Sequence, residues 1–579
     1  MATPAEFDVL VCGAGPSGLA FALSLAKLGV KSIKIVEQNS GVCTWTAKTI
    51  LVHPRTLEIF DRLGIADQMI KLGVQHNEVS VYSPGYTKPL TTVDFTQDTN
   101  TVGCNFHFLL GISQRDLEAI LVKELLGHGI EVQRNTQVVS VDSKAPGGVK
   151  VVLTNSSDGK TEVVHTKFVA GADGANSTVR TQVGISFEGT PKDEELFVAK
   201  CRLIGNKPET NKGMHVSLAA DHSVLVLTQM ANNRHKILIS KAATEHSSPV
   251  GYANSREVSV DEIEAELSKH EILKGSQIHD PVFLGHYRSV VRLAAKYSTD
   301  DLRVHLIGDA AHNPSPTGGQ GMDTGIQDGY NLSWKISMAL RRDPNFNEVR
   351  TRALLTSYEL ERRSIAKHVV DESLKLYDSV VPITAARSIV NTLSALALGG
   401  DSHDESSRRF SKELNPGLNL SYSDVSNIVP KEPPPSSSFL FKPVEFKCGP
   451  KPGERAINAP GVNLQHCLSY VKHTLFYFVT EKDANTNLSA TIQAVDAAIR
   501  DIAEDVEARF IVHSTYMAFQ EKRMVWDRQG EVFKAYGLHR EDHNIDAIYI
   551  IRPDGYVFSR KVPSNLSSVE SLMQQVYPL

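Results

Sequence analysis

Cysteine is scarce in this chain, with six residues among 579, and no two of them form a C-x-x-C pair. Such scattered positions argue against a disulfide framework and against a tetrahedral zinc site. We therefore expect reduced, buried thiols in a cytoplasmic protein that has no metal centre.

Neither sign of charge is in large excess, because 61 Lys and Arg residues face 66 Asp and Glu residues for a formal net charge of −5. This balance gives no electrostatic reason to expect a nucleic-acid partner. Long hydrophobic runs are also missing: the apolar stretch at residues 389–398 is too short to cross a bilayer and predicts a buried helix. The first residues lack the basic and apolar regions of a secretory signal. These absences favour a globular protein without a membrane span.

A glycine-rich turn stands out among the features that are present. Residues 13–18 read Gly-Ala-Gly-Pro-Ser-Gly, which fits G-x-G-x-x-G, and they follow the strand-like run 7–12 and open a helical pattern at 16–28. Gly13 allows a tight turn, Gly15 allows close approach of a pyrophosphate, and Gly18 allows close packing of helix and strand. Glu37 ends the next predicted strand, where a carboxylate can accept hydrogen bonds from ribose hydroxyls. The pattern predicts a dinucleotide-binding unit.

Two further segments indicate which dinucleotide is bound. Residues 168–177 read Phe-Val-Ala-Gly-Ala-Asp-Gly-Ala-Asn-Ser and are followed by Arg180. Residues 306–312 read Leu-Ile-Gly-Asp-Ala-Ala-His, and residues 314–323 continue as Pro-Ser-Pro-Thr-Gly-Gly-Gln-Gly-Met-Asp. With these three motifs in this order, the chain resembles the flavin-dependent aromatic hydroxylases, the group of p-hydroxybenzoate hydroxylase and phenol 2-monooxygenase.

The resemblance implies a set of residues that bind FAD. It covers about residues 5–380, and the layout of the remainder resembles the phenol hydroxylase branch. Asp309 ends a predicted strand and can accept hydrogen bonds from the FAD sugar or ribitol, and a helix beginning near Gly321 would face negative charge on the reduced flavin. The cofactor-binding residues implied are Gly13, Gly15, Ser17, Gly18, Glu37, Arg55, Gln114, Asp173, Asp309, Gly319, Gly321 and Met322.

The implied activity is an FAD-dependent monooxygenase. NADPH or NADH would reduce the flavin, dioxygen would form a flavin C4a-hydroperoxide, and a phenolic or polyketide-like aromatic substrate would be hydroxylated. Epoxidation, Baeyer–Villiger oxidation and a flavin-retaining, non-catalytic binding protein remain alternatives. A flavin halogenase is disfavoured, because the three tryptophans Trp45, Trp334 and Trp526 are far apart and form no W-x-W-x-I segment.

For the substrate the resemblance implies Tyr287, Arg292 and Pro316. Tyr287 matches a tyrosine near the substrate hydroxyl, Arg292 could neutralise a phenolate, and Pro316 matches a proline beside the substrate ring. Ile50 departs from the family pattern, because phenol hydroxylases carry an aspartate there. His53, His107 and His215 are isolated histidines, for which a structural role is expected.

We expect an α/β and α+β fold that combines a Rossmann-type FAD-binding domain, an inserted mixed β-sheet substrate domain and a C-terminal thioredoxin-like domain. The predicted boundaries are 1–75, 105–185 and 300–400 for the FAD domain and 76–104 and 186–300 for the substrate domain. Residues 401–445 are predicted to be a linker. The last domain, 446–579, has no C-x-x-C motif, so we expect it to serve packing or homodimerisation.

Overall fold

The computed structural model describes residues 6–41, 49–97, 103–209, 213–242, 256–314, 319–343, 348–380, 420–431, 446, 448–480, 488–514, 522–539 and 545–562. The chain divides into two units. The first is drawn from residues 1–100, 106–346 and 362–417, and the second from residues 101–105, 347–361 and 418–579. Of the predicted linker, 401–445, only residues 420–431 are among the described residues.

The first unit contains nineteen of the strands that the structure describes. They are β1 (Phe7–Cys12), β2 (Ile33–Val36), β3 (Thr49–Val52), β4 (Val74–His76), β5 (Glu78–Tyr82), β6 (Thr91–Asp94), β7 (Leu109–Ser113), β8 (Val132–Gln133), β9 (Thr136–Asp142), β10 (Val149–Asn155), β11 (Thr161–Gly171), β12 (Phe187–Ile204), β13 (Gly213–Leu218), β14 (Val224–Met230), β15 (Arg234–Ala242), β16 (Arg256–Glu257), β17 (Gln277–Ala294), β18 (Val304–Leu306) and β19 (His312–Asn313).

Helices lie between some of these strands and after the last of them. Those before residue 381 are α1 (Pro16–Lys27), α2 (Pro54–Arg62), α3 (Ala66–Leu72), α4 (Gln114–Gly127), α5 (Thr178–Gln182), α6 (Val260–Leu267), α7 (Gly321–Arg342) and α8 (Val349–Val380).

The first sheet has the parallel centre expected of a Rossmann-type fold. Its strand order is β8-β2-β1-β11-β10-β9, and β18 pairs with β11. β1 runs parallel to both β2 and β11, and α1 provides the connection from β1 to β2. Val9, Leu10 and Val11 are fully buried, which fits a central strand covered on both faces. Since β1, β11 and β18 are parallel, their carboxyl ends meet at one edge of the sheet.

The second sheet is larger and mostly antiparallel. Its order is β16-β17-β12-β15-β14-β13-β5-β6, and β19 pairs with β17. α6 begins with a capping box, in which Ser259 and Glu262 bind each other's backbone N–H groups. Ile263 and Leu267 of this helix share a buried cluster with Phe197 and Ala199 of β12. The side chains of Leu196 and Val198 therefore face the opposite side of the sheet.

Strand β7 belongs to a small third sheet in the same unit. Its strand order is β3-β7-β4, and both pairings are antiparallel. β3 leads directly towards α2, and β7 leads directly into α4. This sheet therefore carries the chain into the two helices that begin near Arg55 and at Gln114.

The second unit is built around a five-stranded sheet. Its strands are β20 (His473–Val479), β21 (Val506–Val512), β22 (Met524–Trp526), β23 (Ala547–Ile551) and β24 (Val557–Lys561), and its further helices are α9 (Leu488–Ala498) and α10 (Glu531–Ala535). The order is β22-β21-β20-β23-β24, with parallel pairing on one side of β20 and antiparallel pairing on the other. Arg552 follows β23 and binds Glu361 and Asp554, and none of the three is appreciably exposed.

No helix among the residues placed by the structure is long and apolar enough to cross a membrane.

Candidate functional site

The turn between β1 and α1, together with the first turn of α1, contains three glycines with distinct roles. Gly13 has φ +108°, and a Cβ placed on it would lie 2.3 Å from the carbonyl oxygen of Ala172. A Cβ on Gly18 would lie 2.2 Å from the carbonyl oxygen of Gly13. By contrast, no described atom lies within 4 Å of a Cβ placed on Gly15. Protein packing thus requires glycine at 13 and 18, whereas the open space beside Gly15 fits the close approach of a pyrophosphate.

Ser17 lies on the part of α1 that packs against the turn after β18 and against α7. A Cβ placed on Gly308 would lie 2.7 Å from the Oγ of Ser17, and one placed on Gly325 would lie 2.3 Å from the same atom. A side chain at either position would press on Ser17, and one at position 325 would also lie 2.8 Å from the Cα of Gly308. Glycines 308 and 325 therefore allow the third motif to pack directly on the first.

Glu37 is tied to the glycine turn by hydrogen bonds. Its Oε2 accepts from the backbone N–H of Ala14 at 2.8 Å. Its Oε1 accepts from the backbone N–H of Asn39 at 2.9 Å and from the Asn39 side chain at 2.7 Å. The carboxylate is thereby held next to the turn, where a ribose acceptor is expected.

Asp173 and Arg180 organise the segment after β11. Asp173 accepts from the Oγ of Ser177 at 2.5 Å and from the backbone N–H of Val179 at 3.0 Å, so it caps α5. Burial raises the pKa of this carboxyl despite these hydrogen bonds. Arg180 donates to the carbonyl oxygens of Ala310 and Ala175, both at 2.9 Å. Asp173 thus supports its own segment, and its contact with a cofactor stays a prediction.

Asp309 lies half-buried in the turn that follows β18. Its neighbour Gly308 has φ +63° and donates its N–H to the Oδ2 of Asp328 at 3.3 Å. The same Asp328 oxygen contacts the Nε2 of His312 at 2.8 Å, and Oδ1 accepts from the Nε of Arg362 at 2.7 Å. This buried network holds the turn that presents Asp309.

The partners of Asp328 are functional residues that local sequence patterns miss. A carboxylate within the long apolar face of α7 indicates that some partner exists, since an unpaired buried charge is strongly disfavoured. His312 and Arg362 are 16 and 34 residues away in sequence, respectively, so periodicity and spacing cannot identify them.

Arg55 and Gln114 both stand at the beginning of a helix. Arg55 is 1% exposed and donates to the Oε2 of Glu58 at 2.9 Å within α2. Gln114 is the first residue of α4 and donates to Glu118 at 2.6 Å. Each side chain is thus held by a carboxylate one turn further along its helix. Their contacts with FAD stay predictions.

The loop before α7 is described only from residue 319. Gly319 has φ +65° and an open surrounding, with the nearest described atom 3.8 Å from a placed Cβ. Gly321 begins α7, and Met322 is half-buried. In the first turn of this helix, Asp323 binds His53, so the histidine that stands isolated in the sequence has a partner in the fold.

Tyr287 lies on the side of the second sheet that faces away from α6. It is 4% exposed and shares a buried cluster with Leu196 and Val198. Leu238 and Phe283 pack against this cluster. The members of this cluster are apolar, and a contact of Tyr287 with substrate stays a prediction.

Arg292 lies where β17 pairs with β19, close to the turn that contains Asp309. It pairs with Asn313 across the two strands, and its guanidinium lies 5.8 Å from the ring centre of Phe187. Arg180 lies 3.9 Å from the same ring, and its pKa is lowered mainly by burial and further by the charge of Arg292. Pro316 lies outside the described residues.

The described cysteines offer no dithiol pair. Of these five residues, Cys12, Cys104 and Cys201 are buried, Cys467 is half-buried and Cys448 is exposed. In the second unit, burial raises the pKa of the Cys467 thiol, which makes it a poor nucleophile.

Comparison with known proteins places these motifs in a family. Residues 6–373 match the model of the FAD binding domain. An FAD-dependent monooxygenase of Aspergillus terreus is 30% identical over 422 residues, which are 69% of this chain and 56% of that protein. Pentachlorophenol 4-monooxygenase of Sphingobium chlorophenolicum is 27% identical over 65% of each chain. The matches thus extend over less than two thirds of the length of these two relatives.

Two solved structures share the fold over the whole chain. The aklavinone-11 hydroxylase complex with FAD and aklavinone has a TM-score of 0.72 at 21% identity, and covers 100% of both chains. The flavin-dependent monooxygenase PieE, in complex with FAD and substrate, has a TM-score of 0.71 at 18% identity and covers 100% of this chain and 99% of its own. At this identity the likeness concerns the fold.

The family predicted from the three motifs is confirmed by the match over residues 6–373, which exceeds half of the chain. The matched segment contains the glycine turn, the segment after β11 and the turn after β18, which are the parts brought together in the fold. This chain therefore belongs to the FAD binding domain family.

Proposed function

We propose that this protein is an FAD-dependent monooxygenase that uses NAD(P)H and dioxygen to hydroxylate a phenolic or polyketide-like aromatic compound. The observation that carries the proposal is the mutual contact of three segments far apart in sequence. Gly13 packs on Ala172, Gly308 packs on Ser17, and Arg180 binds the carbonyl oxygen of Ala310. The three motifs surround one edge of the parallel sheet, which is where ligands bind in folds of this type.

The residues around this edge fit FAD. The open space at Gly15 lies beside the N-terminus of α1, which attracts a pyrophosphate. We assign Glu37 to a ribose of FAD and Asp309 to the sugar or ribitol hydroxyls. Arg55, Gln114, Gly319, Gly321 and Met322 complete the proposed set. When bound, FAD supplies hydride acceptance and oxygen activation, for which protein side chains are unsuited.

The chain itself contributes binding, orientation and electrostatics. The first turn of α7 directs backbone N–H groups towards the loop that includes Gly319, so negative charge arising there is stabilised. Asp309 lies in a turn that is held on both sides by hydrogen bonds. The N–H of the preceding residue donates to Asp328, and Arg180 donates to the carbonyl oxygen of the following residue. Such fixed groups need no reorganisation when charge develops.

An aromatic substrate is proposed from the relatives and from the second sheet. Curated relatives are named for pentachlorophenol, rifampicin and 6-methylpretetramide, and a structural relative is named for aklavinone. We assign Tyr287 and Arg292 to the substrate side and retain Pro316 as part of the same proposal. Ile50 replaces the acid expected for a simple phenol, which favours a larger or more acidic phenolic substrate.

The second unit is proposed to be a thioredoxin-like domain that serves packing and homodimerisation. The proposal is supported by its five-stranded sheet, which has two parallel pairings on one side of β20 and two antiparallel pairings on the other side. The raised pKa of the Cys467 thiol and the absence of C-x-x-C argue against a redox role. Light scattering on the full chain tests the dimer: the mass of a single chain would contradict it.

The activity is tested with purified protein and a panel of phenolic and polyketide-like compounds. We expect at least one compound to accelerate the oxidation of NADPH or NADH and to gain one oxygen atom derived from dioxygen. A Gly15→Ala variant should lose this activity together with its FAD, while Gly127→Ala, on an exposed part of α4, should retain both. An FAD-loaded protein that oxidises no nicotinamide under any of these conditions would contradict the proposal.

A further inference from the structure

A buried pair, His53 and Asp323, joins the beginnings of two helices. His53 immediately precedes α2, and Asp323 lies in the first turn of α7. The residues are 5% and 3% exposed. The Nδ1 of His53 is 2.9 Å from the Oδ2 of Asp323, and the backbone N–H of His53 donates to Oδ1 at 3.1 Å. Both carboxylate oxygens are therefore engaged by one residue.

This contact determines which ring nitrogen can accept a proton. A carboxylate accepts hydrogen bonds, so Nδ1 of His53 carries a hydrogen and donates it to Asp323. The other ring nitrogen, Nε2, forms no hydrogen bond with any residue that the structure describes. An imidazole that is oriented by a carboxylate at Nδ1 and is available at Nε2 is well suited to bind a proton, because the carboxylate stabilises the cation.

Residues proposed to contact the flavin lie next to each member of the pair in the sequence. Arg55 follows His53 by two residues, and Gly321 and Met322 directly precede Asp323. The N-terminus of α7 carries positive partial charge, and the carboxylate of Asp323 offsets part of it. Protonation of His53 would restore positive charge at this helix end.

The charged groups nearest in sequence to the pair, on α2 and on α7, have partners of their own. On α2, Arg55 and Glu58 bind each other at 2.9 Å. Along α7 the next charged side chain, Asp328, is occupied by His312 and Arg362. Asp309 lies in the turn that packs against α7, and strands β3 and β7 contain no charged residue. Arg55, Glu58 and Asp328 are thus engaged by partners other than His53.

We propose that His53 binds one proton from solvent at Nε2 when the flavin is reduced, with Asp323 stabilising the resulting imidazolium. The inference rests on the proposed function, since it requires FAD at this site. Hydride transfer from NAD(P)H breaks a C–H bond of the nicotinamide and adds two electrons and one proton to the flavin site, which leaves one negative charge. The proton taken up by His53 balances that charge, and negative charge nearby favours the protonated imidazole.

The test is an anaerobic redox titration of the FAD-loaded protein from about pH 6 to about pH 9. The slope of the midpoint potential against pH counts the protons bound per electron pair, at about 30 mV per pH unit for each proton. We expect two protons for the wild-type protein over part of this range and one proton for His53→Gln. Asp323→Asn should also approach one proton, because the imidazolium loses its carboxylate. The matched control, His279→Gln on the exposed part of β17, should keep two protons.

A wild-type slope of the midpoint potential against pH that corresponds to only one proton would overturn the proposal. A slope in His53→Gln equal to that of the wild-type protein would also overturn it. If His53→Gln does not retain flavin, Asp323→Asn is measured in its place and an unchanged slope has the same meaning. A wild-type protein without FAD, or one that oxidises no nicotinamide, would instead refute the proposed function, so the two failures are distinguishable.

Discussion

Arg362 donates its Nε to the carboxylate of Asp328 at 2.7 Å, and both side chains are completely buried. Burial disfavours the charged carboxylate, but the charges of Arg362 and His312 hold the pKa of Asp328 below its usual range. Because Asp328 also accepts from the N–H of Gly308, the ion pair supports the turn that contains Asp309.

Breaking this ion pair should destabilise the first unit strongly. Arg362→Met leaves the Asp328 carboxylate buried without its main partner, which typically costs about 3–5 kcal/mol. We expect the free energy of unfolding, measured in urea, to fall by this amount and the affinity for FAD to fall with it. Lys367→Met is the control, since Lys367 is 64% exposed and its pair with Asp371 should contribute less than about 1 kcal/mol. Equal losses in the two variants would contradict the role of Arg362.

Substitutions of Gly13 and Gly15 should affect folding and cofactor binding separately. Gly13→Ala introduces a Cβ against the backbone of Ala172 at a positive φ, so it should destabilise the protein by at least about 1–3 kcal/mol. Gly15 has φ −76° and free space, so Gly15→Ala should leave the stability of the flavin-free protein nearly unchanged. It should nevertheless weaken FAD binding. Unfolding of the flavin-free proteins and fluorescence titration with FAD measure the two effects.

Gly127→Ala provides the matched control for this pair. It adds a methyl group to an exposed helical position with no atom nearby, and should leave FAD binding unchanged while stabilising the helix by about 0.5–1 kcal/mol. Unaltered FAD affinity in Gly15→Ala would show that no phosphate approaches this turn.

The first unit should lose stability in mild acid. Burial lowers the pKa of His76, His235, His270 and His305 from 6.5 to about 4. Each histidine binds a proton more weakly in the folded chain than in the unfolded chain. Its stabilising contribution is therefore complete above about pH 6.5 and is lost as the pH falls towards 4. The free energy of unfolding should fall with a slope of about 1.4 kcal/mol per pH unit for each proton.

Substitution of one of these histidines tests the assignment. His270→Gln should reduce the slope of the free energy of unfolding against pH, between about pH 6 and pH 4.5, by close to the contribution of one proton. This holds whatever the effect of the substitution on stability at neutral pH. His279→Gln, at an exposed position, should leave the slope as it is in the wild-type protein. If both variants keep the wild-type slope, the pKa of His270 is not lowered in the folded protein.

Tyr287 should affect hydroxylation without affecting the flavin. If its hydroxyl binds the substrate oxygen, Tyr287→Phe should slow product formation by about 10²–10⁴-fold and leave FAD content unchanged. More of the NAD(P)H consumed should then appear as hydrogen peroxide. Product yield and peroxide are measured together, with Tyr86→Phe as a control because Tyr86 is 65% exposed. Wild-type rates with no additional peroxide would assign Tyr287 to packing, and Arg292 would be examined next.

Local sequence patterns predict those helices and strands whose ends are set by residues adjacent in the sequence. The strand 7–12, the helix that begins at Pro16 and the strand 33–36 are confirmed within one residue, because glycine, proline and apolar periodicity mark their ends. In the last domain the apolar spacing predicts one helix over residues 489–506, and this prediction is wrong, because the helix ends at Ala498 and Val506 begins β21. Ile499, Ile502 and Val506 continue the helical spacing, so the pattern could not reveal the end of the helix.

Long-range pairs in the candidate site could not be predicted in the same way. His53 and Asp323 are 270 residues apart, and no local pattern gives a reason to pair them. Arg362 lies in α8, and the sequence pattern of that helix does not indicate Asp328 as its partner. Buried charges indicate that partners exist, but the tertiary fold decides which residues they are.

The identity and amount of the bound cofactor test the central claim most directly. The protein is purified, precipitated with acid and centrifuged, and the flavin in the supernatant is identified and counted against the protein. The three contacting motifs predict about one FAD per chain, fully released because no flavin-linking residue is expected. A purified, folded protein that binds no flavin even after incubation with FAD, or one that retains flavin on the denatured chain, would contradict the account.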